Sequence, residues 1–337
     1  MTTEKIEKLI PRDFNGVVSV SRNGEELFKK AYGHADLPNA RANLVNTRFG
    51  TASAGKAFVA AGIMKLVESG KLSLDSKISL LEIDLKDISS EITVRQLLNH
   101  TSGIPDYFDE EIMDEYADLW VTFPNYRVRE SADILPLFID KPMDYPPGTC
   151  FKYNNTGYVV LGLIIEKVTG MDFDKFLAEA VFAPCGMEGT GYYELDRLPA
   201  NCANAYIHDE ERDEFYTNIY SIDAKGTGAG GAFTTAEDVE RFWAGLLSGK
   251  IVSKETAAQM IASQLAGISS DSGNEDGEED DYGFGFWLDD GILYFQGCDP
   301  GVSFISSFSS RDGGLFICII SNFGDNVWKL HRNIRTA

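Results

Sequence analysis

Strand patterns lie at the two ends of this chain, and helix patterns lie between them. Residues 14–22 alternate like a strand, Asn23-Gly24 is a typical hairpin turn, and residues 27–32 return as a second strand. The late strand patterns cover residues 282–288, 292–295, 302–309 and 315–321. The economical arrangement is an α+β fold, with one antiparallel sheet built from both chain ends, flanked by helices, and an α-rich region inserted between them.

Helix patterns and chain length together predict the domain organisation. The predicted helices cover residues 54–69, 93–99, 155–168, 172–180, 235–247, 256–265 and the segment from about 325 to the end. A chain of 337 residues is long for one layered domain without an insertion. We expect one domain over 1–337, with its sheet portion at about 10–80 and 215–337 and the inserted helical region at about 81–214.

Charge and cysteine content exclude several classes of function. The net charge of −22, from 30 basic and 52 acidic residues, disfavours nucleic acid and anionic membranes as partners. Residues 1–10 lack the apolar core of a signal peptide. Five widely spaced cysteines without a Cys-x-x-Cys pair indicate reduced thiols in a cytoplasmic protein. The scattered histidines indicate neither a metal nor another cofactor.

Residues 271–281 are dense in acidic residues and glycine. This composition predicts a solvated, mobile loop. The spacing lacks the EF-hand arrangement of oxygen ligands with a final glutamate, so a calcium site is not expected.

Ser53-Ala-Gly-Lys56 places a hydroxyl and an amine three residues apart at the predicted start of a helix, where they share one face. A lysine in that position can take the serine proton if burial or neighbouring charge lowers its pKa. The backbone N–H groups at the helix start would lie where an oxyanion forms. The pair alone also fits an ordinary helix start with a surface lysine. Other residues are needed to distinguish a catalytic pair from that alternative.

Tyr153-Asn-Asn155 is the second informative group. A phenol held near a lysine ammonium can be stabilised as phenolate and accept the serine proton. The amide of Asn155 can hold the lysine amine and a substrate carbonyl. The alternative is a tyrosine that simply packs at a helix start.

Several motifs occur in one order along the chain: Phe49-Gly-Thr-Ala-Ser53-x-x-Lys56, Leu97-Leu-Asn-His-Thr-Ser-Gly-Ile-Pro105, Pro146-Pro-Gly-Thr149, Tyr153-x-Asn155-Thr-Gly-Tyr-Val-Val-Leu-Gly162 and Gly230-Gly-Ala-Phe-Thr-Thr-Ala-Glu-Asp238. Together they resemble the class C β-lactamase-like serine hydrolases, a group that includes DD-peptidases, esterases, acyltransferases and D-amino-acid peptidases. The resemblance covers about residues 10–325 and implies the β-lactamase/transpeptidase-like fold.

The resemblance also implies roles for individual residues. Ser53 matches the acylated nucleophile, and Lys56 matches the neighbouring base or proton shuttle. Tyr153 matches the catalytic tyrosine, and Asn155 matches its amide partner. The resemblance implies a structural role for His100, with direct action as a base for Ser53 as the alternative.

The third family motif departs from the expected pattern. Counting back from Pro300-Gly301, Phe295-Gln296-Gly297 occupies the place of Lys-Thr-Gly or His-x-Gly, so the usual cation is missing. The resemblance implies that these three residues line the substrate site. It also implies that the oxyanion hole uses the backbone N–H groups of Ser53 and Cys298, which need no particular side chain.

These observations predict a serine hydrolase that forms an acyl-enzyme on Ser53 and acts on a small ester or amide. Phe295 would favour neutral or apolar acyl substrates over those that carry a carboxylate. Two alternatives stay open: β-lactamase or DD-peptidase activity, and a catalytically silent member that binds a ligand or partner in the same cleft. The sequence leaves the oligomeric state open.

Overall fold

The computed structural model describes residues 2–81, 83–270 and 281–337. Within these residues, the main sheet has seven strands, in the order β11 (Asp281–Tyr282), β12 (Trp287–Asp289), β13 (Ile292–Asp299), β14 (Val302–Ser309), β15 (Leu315–Ser321), β1 (Gly16–Arg22) and β2 (Glu25–Tyr32). The acidic loop predicted at 271–281 lies outside the described residues, except for Asp281.

The strands are short except in the main sheet. They are β1 (Gly16–Arg22), β2 (Glu25–Tyr32), β3 (His34–Asp36), β4 (Arg41–Ala42), β5 (Phe49–Gly50), β6 (Cys150–Phe151), β7 (Tyr206–Asp209), β8 (Glu214–Thr217), β9 (Phe233–Thr234), β10 (Ser269–Ser270), β11 (Asp281–Tyr282), β12 (Trp287–Asp289), β13 (Ile292–Asp299), β14 (Val302–Ser309) and β15 (Leu315–Ser321).

Most of the helices lie between the strands of the two chain ends. The helices are α1 (Thr3–Leu9), α2 (Lys56–Glu68), α3 (Val94–Leu98), α4 (Leu119–Thr122), α5 (Asn155–Thr169), α6 (Phe173–Leu177), α7 (Ala183–Cys185), α8 (Ala236–Ser248), α9 (Lys254–Met260) and α10 (Val327–Arg335). Short 3-10 turns occupy Ala52–Gly55, Ile78–Leu81, Tyr116–Asp118, Asn125–Arg127, Ser131–Leu137, Leu195–Arg197 and Asn218–Tyr220, and a π-helical turn occupies Ala178–Phe182.

The two ends of the chain meet in the middle of the main sheet. Strand β1 pairs antiparallel with β15, from Gly16 opposite Ser321 to Arg22 opposite Leu315. Its other edge pairs with β2 through the Asn23-Gly24 turn, where both residues have positive φ, as hairpin turns of this type require. The predicted α+β fold with an antiparallel sheet built from both ends is therefore confirmed.

Helices cover both faces of this sheet. Because side chains alternate along a strand, Phe316, Cys318 and Ile320 face the large core that α2, α5 and α8 complete. The intervening residues Leu315, Ile317 and Ile319 face a smaller core with α1 and α10. Among the described residues, no helix has both the length and the apolar character needed to cross a bilayer.

Two helices matter for the site. Helix α5 begins after Asn154, whose side chain accepts a hydrogen bond from Gly157 N, and ends at Gly170 with φ +70°. Helix α2 follows the Ala52–Gly55 turn directly and is buried over most of its length. This arrangement brings the start of α2 towards the start of α5.

Three predicted boundaries are wrong. The strand expected over 292–295 continues to Asp299. The helix expected over 256–265 begins at Lys254 and ends at Met260, because the chain there turns so that Met260 O accepts from Phe284 N. The strand expected over 282–288 is split into β11 and β12, with a bend at 283–286 that includes Gly285 at φ +85°. The bend directs Phe284 and Phe286 into the large core.

Candidate active site

Ser53 lies in the tight turn just before α2. The residue before it, Ala52, has a φ of +47°, a conformation that L-residues rarely adopt. The glycine-rich segment holds this turn in place, since Ala52 O accepts from Gly231 N at 3.0 Å and Thr51 N donates to Ala232 O at 2.8 Å. A Cβ on Gly230 would come within 2.4 Å of Ala52 O, so this close approach requires glycine.

Lys56 lies directly behind Ser53 and is only 2% exposed. Its Nζ atom is 3.0 Å from Ser53 Oγ, 2.8 Å from Asn155 Oδ1 and 2.7 Å from Ala229 O. The last two oxygens only accept hydrogen bonds. A neutral amine that donates to both of them keeps its lone pair for the Ser53 hydroxyl.

Burial of Lys56 lowers its pKa from 10.5 to about 8, because desolvation disfavours the ammonium. The negative charges of Glu110, Asp106 and Asp299 act in the opposite direction and limit the fall. Lys56 therefore exchanges its proton close to neutral pH, which suits a general base.

Asn155 is held by Asp106 at the start of α5. Asp106 Oδ2 accepts from Asn155 N at 2.7 Å, and Asp106 Oδ1 accepts from Thr156 N and Thr156 Oγ1 at 3.1 Å each. Asn155 Nδ2 donates to Phe108 O at 3.1 Å. These bonds direct Asn155 Oδ1 towards Lys56. Sequence reasoning missed Asp106, although it directly follows the Leu97–Pro105 motif.

Tyr153 lies beside the same amine, with Lys56 Nζ 5.0 Å from the centre of its ring. Desolvation, followed by the charge on Glu110, raises the pKa of the Tyr153 phenol well above 10, although a hydrogen bond with Ser53 acts in the opposite direction. The resting phenol is therefore neutral. A resting phenolate at this position, the sequence-based expectation, is disfavoured, because burial penalises the ionised form and the charge on Glu110 adds to that penalty.

His100 supports this wall from behind. It is buried, its Nδ1 accepts from Asn154 N at 3.1 Å, and its ring centre lies 4.5 Å from that of Tyr153. Desolvation, then the charge on Lys56, lowers its pKa well below 6.5. His100 thus packs against the candidate catalytic tyrosine as a neutral ring, the placement expected for the structural role.

Strand β13 runs past the Ser53 turn with Gly297 facing it. A Cβ on Gly297 would come within 2.4 Å of Thr51 O and 2.7 Å of Ser53 N. Only glycine permits this approach, which brings the backbone of Gly297 and Cys298 beside that of Ser53. Cys298 and Ser53 both line the cleft, so their N–H groups remain the candidate oxyanion donors.

Phe295 does not reach the cleft, contrary to the sequence-based expectation. Its side chain is 1% exposed and packs in the large core against Phe58, Phe242 and Trp243, with ring centres 5.3–6.2 Å away. Gln296 and Gly297 do line the cleft. Gln296 Oε1 accepts from Trp328 Nε1 at 2.8 Å. The aromatic character of Phe295 therefore belongs to the core, not to a substrate wall.

Two cavities meet at Ser53. The larger cavity, of about 620 Å³, also contacts Asn155 and extends to Asp223 and Asp299. The smaller cavity, of about 300 Å³, is lined by Tyr153, Gln296, Gly297 and the indoles of Trp287 and Trp328. Ser53, Glu110 and Cys298 line both. A substrate bonded at Ser53 would thus have room on either side of the scissile bond.

Metal ligation finds no support among the residues described. Within 2–81, 83–270 and 281–337, no three His, Cys, Asp or Glu side chains are grouped so that they could hold an ion.

The fold and these contacts together define a β-lactamase-like domain with a Ser-x-x-Lys site. The chain belongs to the family described as Beta-lactamase, which matches residues 6–327. Similarity to individual proteins agrees with this assignment.

A penicillin-binding protein from Bacillus halodurans is similar in structure, with a TM-score of 0.90, 34% identity and coverage of 99% of this chain and 98% of that one. Penicillin-binding protein 4* of Bacillus subtilis (strain 168) is 30% identical over 310 residues, which are 86% of this chain and 64% of that protein. The chain therefore spans less than two thirds of that relative. A D-amino acid amidase from Ochrobactrum anthropi SV3, at 23% identity and a TM-score of 0.79 over 99% and 97% of the two chains, shows the same fold.

Proposed function

We propose that this chain is a serine hydrolase that forms an acyl-enzyme on Ser53 and hydrolyses a small ester or amide. One observation carries the proposal: a buried lysine amine with a lowered pKa lies 3.0 Å from the serine hydroxyl. That amine also donates hydrogen bonds to Asn155 Oδ1 and Ala229 O. This geometry activates a serine that would otherwise be a weak nucleophile.

In the first half-reaction, neutral Lys56 takes the Ser53 proton while Oγ bonds to the substrate carbonyl carbon. The negative charge that develops on the carbonyl oxygen is stabilised by the backbone N–H groups of Ser53 and Cys298. The C–O or C–N bond then breaks, and the leaving group takes a proton from the Lys56 ammonium, with the neutral Tyr153 phenol as relay. In the second half-reaction, water attacks the acyl carbon and gives a proton to the neutral Lys56 amine. The bond between the acyl carbon and Ser53 Oγ then breaks, Oγ takes that proton from Lys56, and the carboxylic acid product leaves.

The catalytically silent alternative is less well supported. Its support is the missing family cation at Phe295, a position whose side chain lies in the core. The bonds among Ser53, Lys56 and Asn155 are those that a working nucleophile needs. The names of the similar proteins keep penicillin-directed and DD-peptidase activity as the enzymatic alternative.

We further propose that residues 1–337 act as one catalytic domain. In support, the large core contains Val17 and Phe304 of the sheet portion together with Ile134 and Ile165 of the inserted region. Among the described residues, no disulfide joins any of the five cysteines, which suits the reducing cytoplasm.

A fluorophosphonate probe followed by intact-mass measurement tests the proposal. We expect one adduct on the wild-type protein and none on Ser53→Ala. Ser310→Ala, which changes an exposed serine, is the matched control and should be labelled like wild type. Labelling that persists in Ser53→Ala would overturn the assignment. Turnover of neutral esters and of penicillin by wild type then separates the hydrolase proposal from its enzymatic alternative.

A further inference from the structure

The charged side chains that line the larger cavity are all acidic. Its lining includes five carboxylate residues: Glu110, Asp114, Glu115, Asp223 and Asp299. None of the described residues that line it is lysine, arginine or histidine. Lys56 is buried behind Ser53, and its amine donates hydrogen bonds to Asn155 Oδ1 and Ala229 O.

Asp299 is the most informative of these acids. It is the last residue of β13 and is half-buried on the wall of the larger cavity. Within the described part of the chain, its carboxylate has no hydrogen bond and no ion pair. Its surroundings disfavour the ionised form, and a cation in the cavity would offset that cost.

Asp223 faces the same cavity with only one oxygen satisfied. Its Oδ1 accepts from Tyr116 Oη at 3.0 Å, and Tyr116 Oη lies 3.2 Å from Tyr107 Oη. The structure shows no cation paired with Asp223 among the residues that it describes. One of its carboxylate oxygens is therefore available to a ligand.

The segment that carries Asp223 is firmly anchored. Asn125 Nδ2 donates to Ile219 O at 2.8 Å and to Ile222 O at 2.7 Å, and Trp120 Nε1 donates to Ser221 O at 3.0 Å. The turn after Asp299 is tied to the same region, because Asn218 Nδ2 donates to Pro300 O at 2.9 Å. The backbone segments that carry the two acids are thus fixed before any ligand binds.

The two groups are electrostatically coupled. Desolvation, followed by the charge on Asp223, raises the pKa of Asp299 to about 8, and desolvation raises the pKa of Asp223 to about 7. A cation in the cavity would lower both values, because it stabilises the ionised forms. Desolvation by itself therefore favours the protonated forms of both groups.

We propose that the larger cavity recognises its substrate through an ammonium group held by Asp223 and Asp299, which makes amine-bearing esters or amides the preferred substrate class. This inference rests on the proposed hydrolase function, because the cavity opens on Ser53. A metal ion fits less well, since no three His, Cys, Asp or Glu side chains of the described residues are grouped so that they could hold one.

Direct binding is measured first by calorimetry with hexylamine, hexan-1-ol and hexanoate, which share a chain and differ in charge. We expect the amine to bind roughly ten- to hundred-fold more tightly than the alcohol, as bonds to a charged group allow. Hexanoate should bind more weakly than the alcohol. Equal binding of the amine and the alcohol, or tight binding of calcium ion with no amine preference, would overturn the proposal.

Variants locate the effect. Asp223→Asn and Asp299→Asn keep the side-chain shape and should each reduce the amine-to-alcohol binding ratio by about ten-fold. Asp312→Asn makes the same change in net charge at an exposed turn that lines neither cavity, and it should leave the ratio unchanged. The preference should also persist at 0.5 M salt (roughly a 4 Å screening length), where distant surface charges are screened. A preference that survives in both Asn variants would contradict the site.

Substrate pairs connect binding to turnover. In one pair, 3-aminopropanoyl and butanoyl esters place the ammonium or a methyl group on the acyl side. In the other, 2-aminoethyl and propyl esters place them on the alcohol side. At least one amine-bearing ester should exceed its neutral partner in kcat/KM by about ten-fold or more. If both amine-bearing esters are no better than their partners, the substrate class is wrong, whereas absent Ser53 labelling with intact amine binding would refute only the hydrolase function.

Discussion

Lys56 Nζ donates to Asn155 Oδ1 across 2.8 Å, although the two residues are 99 positions apart in the chain. The bond joins the first residue of α2 to the first residue of α5. On the other side, the backbone N–H of Asn155 donates to the Asp106 carboxylate, which fixes Asn155 in place. The direction of the lysine amine towards Ser53 therefore depends on residues from three separate segments.

The first prediction concerns the pH dependence of Lys56. Its pKa is lowered to about 8, and only the neutral amine can accept the Ser53 proton. The kcat/KM for a neutral ester should therefore rise with pH and level off above about 8. No step near 6.5 should come from His100, because burial lowers its pKa well below that value. The measurement is a pH–rate profile at constant ionic strength.

Lys56→Ala is the matched variant for that profile. It should lower kcat/KM by about 10²–10⁴-fold and abolish the rise near pH 8. A profile of wild-type shape in Lys56→Ala would show that another group is the base.

The second prediction concerns the approach of β13 to Ser53. In Gly297→Ala the new methyl would meet Thr51 O and Ser53 N at 2.4–2.7 Å, so the strand must move away. Displacing one oxyanion donor should lower kcat by about 10²–10³-fold with a smaller change in KM. Cys298→Ser keeps the backbone N–H and should cost much less. Equal losses in both variants, measured by steady-state kinetics, would refute the backbone role.

Much of this arrangement was predictable from the sequence because its signals are local. The Asn23-Gly24 turn, the Thr93 cap of α3 and the Gly170 end of α5 each specify backbone geometry within a few residues. The Ser-x-x-Lys spacing likewise places Ser53 and Lys56 on one face, as the 3.0 Å contact shows.

The failures arise where distant residues decide the environment. Phe295 was correctly placed on a strand near Ser53, but the direction of its side chain depends on Phe58 and Phe242 from two helices. The neutral state of the Tyr153 phenol depends on burial and on Glu110. Asp223 and Asp299 carry no local signal at all, because only the folded chain brings both to one cavity.

The third prediction concerns Asp106. The groups that face its carboxylate at the start of α5 are donors, among them Asn155 N, Thr156 N and Thr156 Oγ1. Asp106→Asn would turn an amide N–H₂ towards some of these donors. The free energy of unfolding should fall by about 1–3 kcal/mol at pH 7, measured with urea. kcat should fall too, because Asn155 loses its support.

Asp87→Asn serves as the control for the Asp106 variant, because Asp87 is exposed. It should change neither unfolding nor turnover. Wild-type stability and kcat in Asp106→Asn would show that this carboxylate does not position Asn155.

The last prediction concerns Phe295, whose ring packs against Phe58, Phe242 and Trp243 in the large core. Phe295→Ala should lower the free energy of unfolding by about 3–5 kcal/mol, because it leaves a cavity. Phe295→Lys should be more damaging, since it would bury an unpaired charge. Phe295→Leu, which keeps most of the volume, should cost less than either. Urea unfolding of the three variants checks the order.

Substrate selectivity distinguishes a role of Phe295 in the core from a role in the cleft. Because the Phe295 side chain does not line either cavity, Phe295→Leu should keep the wild-type ratio of neutral-ester to penicillin turnover. If Phe295→His instead folds with wild-type stability and shifts that ratio towards penicillin, its side chain must reach the substrate. That result would return Phe295 to the substrate wall and place the missing family cation at this position.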